Sequence, residues 1–273
     1  MKHTCLRLPL FGLIGLTLIA GMTALQASSR KDDDNSTPPN SPIVVVELFT
    51  SEGCSSCPPA DALLARLAEG NAASNAHVIA LEEHVDYWDE LGWRDPFSSH
   101  DWTVRQYTYA GVLGNGNPYT PQMVVDGTVE FSGSRGQQAL RSIADAAAQA
   151  KTEVTLSQGT ASKPGAEAFS VRVGKLAPST KGGSAEVWLA ITETGLHSSV
   201  TRGENAGHEL RHAAIVRSMR KIGEARPNLD NSFSADPNVP LRAEWNRENL
   251  KAVVFVQEKK SLKILGAAEI VLR

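Results

Sequence analysis

The stretch IVVVELFTSEGCSSCPPADALLARLAEG, residues 43–70, decides the fold. Its opening IVVVELF is a β-branched run, the composition of a strand buried on both faces of a parallel sheet. Leu63, Leu64, Leu67 and Ala68 then recur at helical spacing and stop at Gly70, which predicts a helix with one apolar stripe. A second strand pattern, HVIALEEHV, follows at residues 77–85. Between the first strand and the helix stand Cys54 and Cys57, separated by two serines.

Two cysteines at this spacing can be a staple, a metal clip or a redox couple. A bridge across two residues closes almost no loop, so by chain entropy it stabilises little. In the order strand, CxxC, helix, strand, the pair reads as a thioredoxin-like redox motif. Unpaired N–H groups and the dipole at a helix start favour a thiolate there. Cys54 is then the exposed attacker and Cys57 the resolving thiol. Pro58 and Pro59 disfavour helical angles in the residue before them, which moves the helix start to about Pro58 with Cys57 as its cap. With Glu52 nearby and no cation in Ser55-Ser56, the Cys54 thiol is expected to be less acidic than that of a strong oxidant. Glu47, a carboxylate in the apolar strand, is either a buried proton acceptor for Cys57 or a strand-end acid facing water.

Downstream, YTPQMVVDGTVEFSG (residues 119–133) carries a hairpin signal, with strands at 122–125 and 128–131 about an Asp126-Gly127 turn. Thr120-Pro121 lies directly before that hairpin. X-Pro bonds adopt cis far more readily than others, and beside a CxxC such a proline would present substrate backbone to the attacking sulfur. RGQQALRSIADAAAQAK, at 135–151, reads as a helix. Beyond it the period changes to two: AFSVRV, AEVWLAIT, LRHAAIV, KAVVFVQ and LKILGAAEIVL all read as strands. The expected organisation is an α/β thioredoxin-like domain at 43–151 with an aromatic insertion at 86–119, then a β-rich, antiparallel, sandwich-like domain at 152–273.

The chain opens MKHTCLRLPLFGLIGLTLIAGMTALQA. Basic Lys2 and Arg7, an apolar run and small residues at Ala24 and Ala27 predict a signal peptide over 1–27, or, uncleaved, a membrane anchor. Residues 28–42, polar and proline-bearing, are expected to be a disordered linker. Loss of Lys2 and Arg7 with the leader leaves 25 basic against 30 acidic residues, a net charge of −5. That balance gives no electrostatic footprint for nucleic acid or anionic membranes. Cys5 would leave too, so the exported chain would hold Cys54 and Cys57 alone. A periplasmic or secreted location follows.

The insertion holds all four tyrosines together with Trp88, Trp93, Phe97 and Trp102. It is either a lid whose Trp88 and Trp93 form a groove for a partner peptide, or a long insertion anchored by its own rings. His84 could join the two cysteines as a Cu(I) site, since thiolate and imidazole suit that ion. His208 and His212, four apart in an arginine-bearing strand, read as a solvated face.

VVVELFTSEGCSSCPPADALLARLA, HVDYWDELGWRDPFS, YTPQMVVDG and VTRGENAGHELRHAAIVR together resemble the secreted thioredoxin-like family catalogued as domain of unknown function 1223. The resemblance implies a thioredoxin-like fold with Cys54, Cys57 and Pro121 at a redox face and a β-rich portion after it. It implies no substrate. Gly53 stands where thioredoxin has a tryptophan, and Ser55-Ser56 replaces its Gly-Pro. The expected function is exported thiol–disulfide exchange with protein thiols or disulfides, without cofactor or resident metal. The alternatives are copper delivery through Cys54, Cys57 and His84, or a non-catalytic binding module whose disulfide is structural.

Overall fold

The computed structural model describes residues 41–70, 76–114, 116–160, 165–177 and 183–272. The expected leader, and the linker save its last two residues, lie outside them. The first half supplies β1 (Ile43–Thr50), α1 (Pro58–Ala68), β2 (His77–His84), α2 (His100–Leu113), β3 (Gln122–Val125), β4 (Val129–Ser132) and α3 (Gly136–Ala147). The described second half is mostly strand, with one short 3-10 turn at Arg247–Asn249: β5 (Val154–Gln158), β6 (Ala166–Val173), β7 (Ala185–Glu193), β8 (Leu196–Ser199), β9 (Glu209–His212) and β10 (Ile215–Ala225). It continues with β11 (Phe233–Ala235), β12 (Asn238–Pro240), β13 (Leu250–Glu258) and β14 (Ile264–Val271).

β1 and β2 run parallel, in register from Ile43↔His77 to Thr50↔His84, and α1 makes the crossover between them. Because side chains alternate along a strand, each strand serves two cores. Val44, Val46 and Leu48 of β1 and Val78 and Ala80 of β2 face Leu63, Leu64 and Leu67 of α1 and Ile143 of α3. Val45, Ile79 and Leu81 face the other way, onto Trp102 of α2. Burying one such leucine contributes roughly 2 kcal/mol. The hairpin turns as its sequence predicts. Asp126 and Gly127 both take positive φ (46° and 63°), and Thr128 N–H bonds to Val125 O at 3.0 Å.

The architecture is mixed α/β, and its main sheet has eight strands in the order β14-β13-β7-β10-β2-β1-β3-β4. This corrects the expectation of a β half standing apart from 152 onward. β10 pairs with β2 at Ile215↔Glu82, so strands from both sides of Lys151 share one sheet, and the described residues fall in one compact unit. β5, β6, β11 and β12 make a second layer, and β8 pairs with β9 in a separate two-stranded sheet. Phe169, Val171 and Val173 of β6 cover Val187, Leu189 and Ile191 of β7 and Val254 of β13. The sandwich is therefore built on an extension of the α/β sheet.

Candidate functional site

β1 ends at Thr50, and the cysteine turn follows immediately. Cys54 N–H bonds to Ser51 O at 3.1 Å, and Cys57 N–H to Cys54 O at 3.2 Å. α1 begins at Pro58 with Cys57 at its N-cap, as the two prolines require. A disulfide joins Cys54 to Cys57 across a Cα separation of 5.5 Å. Ser55 and Ser56 are exposed, but Cys54 is only 1 % exposed and Cys57 0 %. The expected exposed attacker is thus covered. The loop joining β8 to β9, from the far half of the chain, bonds across this turn. Asn205 Nδ2 donates to Glu52 O at 2.8 Å and to Cys54 O at 3.1 Å. The Glu204 carboxylate accepts Ser55 N–H at 3.0 Å and the Ser55 hydroxyl at 2.7 Å.

The Thr120–Pro121 peptide is cis, and Pro121 is buried. Trp88 joins this bond to the cysteine turn. Its Nε1 donates to Thr120 Oγ1 at 2.9 Å, and its Cβ sits 3.1 Å from where a Cβ on Gly53 would lie. Trp93 Nε1 donates to Glu52 Oε2 at 2.8 Å. The Trp93 N–H thus ties the aromatic segment to the turn and the Trp88 N–H ties it to Thr120, while Trp102 and Tyr109 are buried against the sheet. These four rings anchor the segment.

Glu47 departs from its expected role. As an odd-numbered residue of β1 it projects from the sheet face opposite α1. There it accepts from Arg105 Nε at 2.6 Å and also from the Tyr109 hydroxyl. Burial alone would lower the Arg105 pKa, but Glu47, Tyr109 and Glu83 hold it above its ordinary value. Arg105 and Tyr109 also line a cavity of about 380 Å³ with Trp188 and Met219. One buried carboxyl on the cysteine side is Asp61, one turn beyond Cys57, whose N–H bonds to Cys57 O. Burial and the nearby Glu82 push it up to about 7, against the hydroxyl that Thr50 donates at 2.6 Å.

Next to the turn, on the α1 face, lies a buried cluster of acids and imidazoles. Glu82 and His84 alternate onto this face from β2, and His212 enters from the end of β9. Their exposures are 0 %, 0 % and 5 %. His84 Nδ1 bonds to Asp95 Oδ2 at 2.7 Å, while its Nε2 stands 3.4 Å from Glu82 Oε1 without a hydrogen bond. His212 bonds to Glu82 Oε1 through Nδ1 at 2.7 Å and to Glu52 Oε1 through Nε2 at 3.0 Å. Burial works against both imidazolium ions, yet Asp95 and Glu82 hold His84 well above its usual value. Glu52 and Glu82 likewise raise His212 to about 9. Burial would raise Glu82, but the two histidines hold it far below the carboxylate range.

This cluster corrects one expectation: His212 is a buried partner of two carboxylates, while His208 remains exposed. His84, the residue of the copper alternative, groups with Glu82 and His212, and the two cysteines are bonded to each other. Sequence reading missed Glu82, Asp61, Glu204 and Asn205, and misjudged His212. One signal was present: Glu82, Glu83 and His84 fall together inside an expected strand, where consecutive charged groups on both faces need partners once the strand is buried.

A protein-family model described as "Protein of unknown function (DUF1223)" matches residues 45–257. No curated protein matches the chain. Among solved structures, protein AGR_C_4864 from Agrobacterium tumefaciens aligns with a TM-score of 0.61 and 26% identity, covering 84% of this chain and 93% of that one. HBP35 of Porphyromonas gingivalis aligns with a TM-score of 0.61 and 17% identity, covering 86% and 77%. The match to the family model spans most of the sequence, and the chain belongs to the DUF1223 family.

Proposed function

We propose that this chain is an exported thiol–disulfide exchange protein whose first half is a thioredoxin-like redox unit working through Cys54 and Cys57. The observation that carries the reading is a disulfide spanning two residues at the start of α1, where a cross-link adds little stability but reduction frees a thiolate at a helix N-terminus. Thr120-Pro121, linked to the same turn through Trp88, is the proposed seat for a partner's extended backbone. A leader over 1–27 would deliver the protein to the periplasm or beyond, where protein thiols and disulfides are its partners.

The exchange balances without a cofactor. A partner thiolate attacks Cys54 Sγ, the Cys54–Cys57 bond breaks, and Cys57 leaves as a thiolate that takes a proton from the Asp61 side or from water. A second partner thiolate attacks the partner sulfur of the mixed disulfide and releases Cys54. The partner loses two electrons and gains a disulfide, and this chain becomes the dithiol. The reverse sequence reduces a partner. For attack to occur, the loop bearing Glu204 and Asn205 must lift.

Burial of both sulfurs favours a second reading, a binding module with a structural disulfide. A glutathione titration of the exported chain, read by alkylation and mass, separates the two. A potential between about −180 and −120 mV with fast exchange supports catalysis. A potential below about −300 mV with slow exchange overturns it in favour of the structural bridge.

A further inference from the structure

We infer that Glu82, His84 and His212 form a binding site for one divalent transition-metal ion, with zinc the fitting choice. Each residue offers one ligand atom, and the three atoms lie within 4.8 Å of one another. Bonds of about 2.1 Å at tetrahedral angles place ligand atoms about 3.4 Å apart. The His84 Nε2 to Glu82 Oε1 distance is 3.4 Å, and His212 Nδ1 lies 2.7 Å from the same oxygen. Two imidazoles and one carboxylate suit a first-row divalent ion and leave room for a water.

Three further features separate this cluster from an ordinary buried ion pair. His84 Nε2 is fully buried, points at a carboxylate oxygen and makes no hydrogen bond. An unbonded ring nitrogen in such a place is costly, and a shared cation would satisfy both groups. Each ring's other nitrogen already rests on a carboxylate, Asp95 for His84 and Glu52 for His212, the outer-shell pairing that orients metal-bound imidazoles. The second oxygen of Glu82 is fixed by the N–H groups of Ala213 at 2.9 Å and Ala214 at 3.4 Å, which aims Oε1 at the two rings. The donors come from β2 and from the end of β9, so the site is complete only where the two halves of the chain meet.

The test is zinc binding to the whole exported protein, measured by competition with a chromophoric chelator, with Co(II) as the spectroscopic stand-in. One ion per chain and visible d–d absorption from Co(II) are expected. Glu82→Gln and His212→Gln should each weaken zinc at least 100-fold, and Asp95→Asn, which acts through His84, about 10- to 100-fold. His100→Gln, at an exposed histidine paired with Asp86, should change nothing. A Cys54→Ser/Cys57→Ser double variant should bind as the parent does, so the site stands or falls apart from the redox reading. No saturable one-to-one binding, or binding that survives both Glu82→Gln and His212→Gln, overturns the assignment. Should either variant lose its fold by circular dichroism, the parent's Co(II) spectrum decides. Its absence leaves the cluster as an ionic network and overturns the proposal.

Discussion

Replacing Asn205 with alanine should open the disulfide to reductant. Asn205 is 5 % exposed and donates two hydrogen bonds from Nδ2, to Glu52 O and Cys54 O. A hydrogen bond of this kind contributes about 1 kcal/mol net, and more when its loss strands a buried carbonyl. The pair therefore supplies about 2–3 kcal/mol of the free energy that keeps the β8–β9 loop closed. Since about 1.4 kcal/mol is tenfold, Asn205→Ala should raise the open fraction, and with it the rate of reduction by excess dithiothreitol, about 30- to 140-fold. Quenching by alkylation at timed intervals and mass measurement gives the rate. Glu204→Gln, on an exposed carboxylate, should leave it within about threefold. Leu64→Ala provides the control for global unfolding, because it removes a fully buried leucine at a cost of about 2–5 kcal/mol without touching the loop. Equal rates for Asn205→Ala and the parent would refute the covering role. So would a Leu64→Ala variant accelerated as much as Asn205→Ala, since exposure would then need whole-chain unfolding.

Other outcomes follow from the same geometry. Glu47→Gln should cost about 3 kcal/mol in urea unfolding by leaving Arg105 short of a buried partner, and should leave the pH profile of disulfide exchange unchanged, whereas Asp61→Asn should shift that profile. Burial pushes Glu269 up, but His77 and Lys251 outweigh it and hold its carboxyl below 4.5. A depressed carboxyl stabilises the fold above its unfolded pKa and loses that contribution as pH falls through the folded one. Glu269→Gln should thus destabilise by about 1 kcal/mol at pH 7, with the gap closing below about pH 4 in parallel denaturation curves. Gly127→Ala should cost more than about 2 kcal/mol, because φ is +63° and a Cβ would lie 1.9 Å from Leu262 O; a thermal midpoint equal to the parent's would contradict this.

Local chemistry was legible in the sequence wherever a short stretch settles it. The prolines after Cys57 set the helix start, Asp126-Gly127 set the hairpin, and alternation marked the strands of the second half. Strand order was not legible, because a period of two says which residues share a face and nothing about which strand lies alongside. Glu47 was misread although the means to place it were at hand. The α1 stripe needs the even residues of β1, which sends Glu47 to the far side. His212 was taken as solvated because arginines flank its strand, yet Leu210 and His212 share one face of β9 and both are buried. Asn205 had no signal at all, since an asparagine in a glycine-bearing loop reads the same whether it caps a distant turn or faces water.

The continuous sheet has a consequence for how the molecule is made. The cysteine turn leaves the ribosome early, but the groups that satisfy it arrive more than a hundred residues later: Asn205 for two of its carbonyls, His212 for Glu52, and the N–H groups of Ala213 and Ala214 for Glu82. Until then Glu52 and Glu82 lack the His212 imidazole that bonds to both, and a buried carboxylate short of such a partner costs several kcal/mol. Such closure between remote segments is slow. On the proposed export route, the chain would cross the membrane still open, with its two thiols accessible to oxidants, and would seal them only when its last third had arrived.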